Sequence, residues 1–184
     1  MSRNCFEITK KELWFLIISL QCVSIAGFDE ELPQFELEDA KACAESLKEK
    51  GCINSSEDGK MALHEMLATC MYMITHSTGY SKCTSEGGEM LIFYYYEDSI
   101  VSLHIANEKC EIIWLPLITL AIGEAANVTK KDGCYKWKYC ARSITGDYYE
   151  EYIPEENEND TEVLKKFFDL SVTLHGRAIK IKNG

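Results

Sequence analysis

The sequence predicts a mainly α-helical, disulfide-bridged bundle, and three observations carry that expectation. Apolar residues recur at three- and four-residue steps in two stretches after residue 36 and again past residue 161. Seven cysteines lie downstream of residue 26. The first 27 residues have the layout of a secretory signal peptide: Lys10 and Lys11, an apolar run from Leu13 to Leu20, and a small-residue exit at Ser24-Ile25-Ala26-Gly27. An α+β fold with a hairpin around residues 90–105 is the alternative.

The apolar run is too short to cross a bilayer, which takes roughly 20 apolar residues. It therefore reads as a removed leader, residues 1–26, cleaved before Gly27, with cleavage before Phe28 as the alternative. Removal takes Arg3, Lys10, Lys11, Glu7 and Glu12 with it and leaves 16 basic and 28 acidic side chains, a net charge of −12. Such a surface repels nucleic acid and anionic lipid. The compartment so implied is oxidising, so Cys43, Cys52, Cys70, Cys83, Cys110, Cys134 and Cys140 are disulfide candidates. Seven is odd, which leaves one thiol buried and unpaired or bridged to a second chain as a disulfide-linked dimer. The pairing itself is not legible.

Residues 27–146 read as a disulfide-stapled helical core. Leu37, Ala40, Ala44 and Leu47 mark a first helix from Leu37 to Lys50, ended by Gly51. Ser56 is placed to cap a second helix, along which Leu63, Met66, Leu67, Cys70, Met73 and Ile74 repeat at helical spacing. From Met90 to Ile105, β-branched and aromatic residues favour strands, yet Ile100, Leu103 and Cys110 also share one face of a bent helix; periodicity does not arbitrate. Ile112 to Ile122 reads as a central core helix with Pro116 near its first turn. Residues 147–160 form an acidic, Tyr-rich connector that should stay extended; from Asp147 to Glu162 there are eight acidic residues and no Lys or Arg. Asn159 and Glu162 resemble a capping box opening a last amphipathic helix, residues 161–175, with Val163, Leu164, Phe167 and Phe168 on its apolar face. Residues 176–184 are a basic tail.

Three sequons, at Asn54, Asn127 and Asn159, fall between apolar stretches and suit N-glycosylation of a secreted chain. No cofactor or metal is expected: no Cys-x-x-Cys occurs, and His64, His76, His104 and His175 are scattered. Nucleophile-elbow, zinc-protease and phosphate-loop motifs are absent as well, so no catalytic residue is named. The formal exception is a Cys/His-type hydrolase, which needs a free thiol beside a base.

One family resemblance adds to this. The stretch from Phe93 through Tyr94-Tyr95-Tyr96-Glu97-Asp98 to Ile105-Ala106 and Cys110 resembles a signature segment of the insect 27 kDa hemolymph glycoprotein family. Cys134 and Cys140, Ile153-Pro154 with Asn157, and Val163-Leu164 with Phe167 are similar to that family's closing region. The chain departs from it in lacking a cysteine between Phe93 and Tyr96 and in a shorter Cys134–Cys140 spacing, so no bridge pattern is carried over. The resemblance implies an extracellular helical bundle without catalysis and names no functional residue.

The functional expectation is a secreted, glycosylated, non-enzymatic binding protein. It would hold a small apolar ligand in a pocket drawn from Met66, Met73, Phe93, Trp114 and Leu117, or, as the alternative, bind an extracellular protein through its acidic surface. Nucleic acid and a membrane span are excluded as partners.

Overall fold

The computed structural model describes residues 5–22, 24–28, 31–55, 61–77, 79–84, 87–96, 99–117, 120–126, 136–143, 146–152, 165, 168 and 169. The fold is α+β. Strands β1 (Cys5–Thr9), β4 (Gly79–Thr84), β5 (Met90–Tyr96), β6 (Ser99–Ala106), β7 (Lys109–Leu115), β8 (Lys136–Ser143) and β9 (Gly146–Tyr152) form one sheet in the order β1-β7-β6-β5-β4-β8-β9. Every pairing is antiparallel. A separate two-stranded hairpin joins β2 (Ile53–Ser55) to β3 (Met61–Leu63), and three helices, α1 (Lys10–Ser19), α2 (Leu37–Glu49) and α3 (Glu65–His76), complete the named elements.

The central meander explains why the mainly helical, bundle reading fails. Successive side chains of a strand point to opposite faces. On β6, Val101, Leu103 and Ile105 enter one core with Leu13, Leu16 and Ile17 of α1 and Leu67, Met71 and Ile74 of α3. Ile100 enters another, with Leu91, Phe93 and Tyr95 of β5 and Ala121, Ile122 and Ala125 of the helical residues 120–126. Both faces of β5 are therefore buried, and Leu91 through Tyr95 form an unbroken apolar run with no alternation to betray a strand. Residues 90–105 are the β5–β6 hairpin, the architecture of the α+β alternative.

Further corrections concern element limits. The second helix starts at Glu65 rather than near Ser56, because Met61–Leu63 pairs with Ile53–Ser55. The Ile112–Ile122 stretch is split: Ile112 and Ile113 belong to β7, Pro116 follows the strand, and helix resumes at 120–126. β-Branched pairs fit the pleat, and proline cannot continue the ladder. The acidic connector begins as β9, whose register sets Glu151 opposite Lys138 and Asp147 opposite Arg142. Of the last amphipathic helix, residues 165, 168 and 169 are helical, and Phe168 packs edge-on against Phe93 at 5.0 Å; its remaining residues and the basic tail lie outside the described residues. Helix α2 matches its expectation closely. Gly51 follows it at φ 70°, and Cys52 N–H donates to Leu47 O at 2.8 Å, the left-handed ending glycine permits.

The N-terminal segment, expected to be a leader, is part of this core. β1 pairs with β7 from Cys5 opposite Ile113 to Thr9 opposite Lys109. Thr9 then caps α1: its hydroxyl accepts from Glu12 N–H at 3.1 Å while the Glu12 carboxylate accepts from Thr9 N–H at 2.5 Å. The same carboxylate, only 2% exposed, takes two hydrogen bonds from Lys50 Nζ at 2.6 and 2.9 Å. Past α1, Ile25 is buried, Tyr94 donates to Ala26 O at 2.8 Å, and Lys82 Nζ donates to Gly27 O at 2.7 Å.

Burial raises the pKa of the Glu12 carboxyl, but hydrogen bonds from Lys50, Ser46 and Thr9 outweigh burial and hold it below its ordinary value of 4.5. A group depressed in the folded state contributes stability above its unfolded pKa and loses it as pH falls through the folded one. Lys50→Met, which leaves the buried carboxylate without its cation and bonded only by Ser46 and Thr9, is expected to cost about 2 kcal/mol at pH 7 by urea unfolding. Glu12→Gln should flatten the loss of stability below pH 4.5; an acid limb as steep as the wild type's would contradict the assignment.

Candidate functional site

Helix α1 packs Leu13, Leu16 and Ile17 inward, which leaves its opposite side and its C-terminal turn beside the β2–β3 hairpin. Between them lies an open apolar groove of about 260 Å³. Phe15, Leu16 and Leu20 form one wall and Ile53, Ala62 and Leu63 the other, with Ser19 the single polar lining residue. Phe15 is held edge-on to Phe35 at 6.1 Å. Ile18 and Leu20 stand 38% and 41% exposed on that turn, large apolar side chains left in water. A second concavity, about 330 Å³, lies at the other end of α1 against Trp14, Pro33 and Phe35; it mixes Lys10 and Lys11 with Glu31 and Glu108, and Lys11 is bonded to Asp39 at 2.7 Å.

The pocket expected from sequence does not assemble. Met66, Met73 and Trp114 pack in the core on the helical face of the sheet, where they fill space rather than line it. Phe93 sits on the opposite face, and Leu117 is 62% exposed after Pro116. The groove residues on α1 were hidden because the whole stretch reads as a leader. A signal was present: Thr9 and Glu12 have capping-box spacing, and Leu13, Leu16, Ile17 and Leu20 repeat at i, i+3, i+4 and i+7.

Among the described residues no disulfide bridge forms. Cys43, Cys52, Cys70, Cys83 and Cys110 are buried free thiols. Cys134 lies outside the described residues, as does the side chain of Cys140 in β8. Burial pushes Cys70 and Cys110 up to about 12, and raises Cys83 further and Cys43 and Cys52 less. Thiols so shifted stay protonated near neutral pH and are poor nucleophiles, so none of these five suits a Cys/His hydrolase. His104 Nε2 lies 3.8 Å from Glu89 Oε2, His76 stacks on Tyr72 at 4.1 Å, and His64 contacts Phe6. Among the described residues no group of three or more His, Cys, Asp or Glu is placed to hold a metal ion.

Of the sequons, Asn54 is exposed on β2 opposite Ala62; Asn127 and Asn159 lie outside the described residues. No helix among the described residues is long and apolar enough to cross a membrane. No protein-family model matches the chain, and no curated protein matches it in sequence.

Thiol accessibility gives a direct check on this packing. Under native conditions, mass-mapped alkylation should modify half-exposed Cys22 first, with Cys70, Cys83 and Cys110 at least about 100-fold slower because they await opening of the core. Equal rates at all four would contradict the burial described.

Proposed function

We propose that the protein is a non-catalytic binding module that takes a small apolar ligand in the groove between α1 and the β2–β3 hairpin. The observation that carries this reading is the groove: an open concavity walled by Phe15, Leu16, Leu20, Ile53 and Leu63 with one hydroxyl, Ser19, at its edge. A few polar groups within an apolar lining are the usual composition of a small-molecule site. Its size sets the ligand. An apolar cavity of roughly 150 Å³ accommodates benzene, and drug-sized sites run from about 300 Å³ upward. About 260 Å³ suits one ring with a short substituent, or a branched chain of similar bulk.

Roughly ten non-hydrogen atoms contributing about 0.5 kcal/mol each give a dissociation constant of about 0.1–1 mM. The exposure of Ile18 and Leu20 on the same turn favours one further reading, in which the apolar group is a side chain of a partner polypeptide and the turn adds affinity.

Methyl-labelled protein titrated with indole or p-xylene tests the site. The methyl signals of Leu20, Ile53 and Leu63 are expected to shift saturably in that concentration range, and those of Val101 and Leu103 in the core to stay in place. Ala62→Trp, at an exposed position of β3 in the groove wall, should abolish the shifts without loss of stability. If the probes move only core methyls, or bind Ala62→Trp as well as the wild type, the groove is not the binding site.

A further inference from the structure

We infer that residues 5–22 and 24–27, ordered in sequence like part of a removable leader, are a retained part of the folded protein. Each leader-like feature has a structural counterpart. Lys10 and Lys11 open α1, where Lys11 pairs with Asp39 of α2 and Lys10 N–H donates to Glu108 O in the β6–β7 turn at 2.9 Å. The apolar run is the buried side of α1: Leu13, Trp14, Leu16 and Ile17 are all at most 5% exposed. The small-residue exit is a strap lying on the sheet. Its Gly27 has φ 83°, and a Cβ there would meet the Tyr80 ring at 3.1 Å and Ile92 at 3.3 Å, so a side chain would be strained by the backbone conformation and would press on both neighbours.

The bond a signal peptidase would cut, Ala26–Gly27, is held on both sides. Tyr94 fastens the Ala26 carbonyl and Lys82 the Gly27 carbonyl, while Ile25 is buried and Phe28 packs edge-on to Trp14 at 4.8 Å. Cleavage there would also separate Glu12 from Lys50. The buried carboxylate would leave with the fragment, and β7 would lose the strand that covers its edge. In the fold Glu12 completes the cap of α1 and pairs with Lys50. A chain that keeps this segment in its core is not delivered by cleavage-coupled export.

Peptide mapping and intact mass of the protein purified from its natural source read the outcome directly. Peptides spanning the Ala26–Gly27 bond, in the mature and soluble protein, are expected; a mature N-terminus at Gly27 or Phe28 would overturn the inference. In parallel, a recombinant 27–184 chain should lack the cooperative unfolding of the full chain, and adding a synthetic 1–26 peptide should restore it. A 27–184 chain that unfolds cooperatively at the full-length midpoint, or one that the peptide leaves unchanged, would count against retention. None of these readouts uses a ligand, so they separate failure of this inference from failure of the binding proposal.

Discussion

Two central strands, β5 and β6, are buried on both faces, and the arrangement of the remaining chain follows from covering those two faces. Leu91 through Tyr95 and Ile100 through Leu103 are each almost fully removed from water. No single helical layer can cover both sides of a sheet, so the chain supplies α1 and α3 to one side and residues 120–126 with Phe168 to the other. The polar atoms drawn in are mostly matched: Tyr95 hydrogen-bonds Ser81 at 2.8 Å, and Tyr94 the strap at Ala26. Ser102 Oγ and His104 Nε2 are not, a cost of about 1–3 kcal/mol for each such group. Both lie on the side of β6 shared with Ile100, so the unsatisfied polarity is confined to the second face.

The Glu12–Lys50 pair, a buried carboxylate bonded by a half-buried ammonium, is the other constraint, and it works through the first face. Lys50 caps the end of α2 and Glu12 lies in the first turn of α1, so the ion pair joins these two helices, as Lys11 and Asp39 also do. A buried carboxylate without its partner would be strongly unfavourable, whereas a hydrophobic pair at the same place would tolerate sliding. This fixes the approach of α1 to the β2–β3 hairpin that directly follows α2 and Gly51. The groove between α1 and that hairpin thus lies on two elements that this ion pair helps to join, although neither Glu12 nor Lys50 lines it.

Legibility in the sequence varied with how many faces of an element meet water. Helix α2 has one wet side, and its periodicity and closing glycine locate both ends to within a residue. Along α3 the stripe Leu67, Cys70, Met73 and Ile74 is buried as its spacing implies, but Leu63 fits the helical step while belonging to β3. β5 has no wet side, so its pattern carries neither a period of two nor of 3.6. The N-terminus is ambiguous in another way: basic, apolar and small residues in that order satisfy both a leader and a strand–helix–strap unit. Only Thr9 and Glu12 discriminate, since a capping box serves a helix that must begin at a defined residue. Because the groove is built on that helix, reading the segment as a leader concealed the site along with the element.

The described cysteines are distributed by the two faces of the sheet. Cys83 faces Leu91 and Phe93 on one side of the sheet, whereas Cys52, Cys70 and Cys110 belong to the core on the other. Cys83 on β4 and Cys110 on β7 are moreover separated by β5 and β6, three strand spacings or roughly 14 Å, against a limit of about 7 Å between bridged Cα atoms. A bridge between them would have to pass through the most tightly buried part of the sheet. The thiols instead act as small apolar groups that fit where a larger side chain would overfill the layer, which is why burial raises their pKa values rather than activating them. Stability in this chain therefore rests on the two covered faces and the Glu12–Lys50 pair, without cross-links among the described residues.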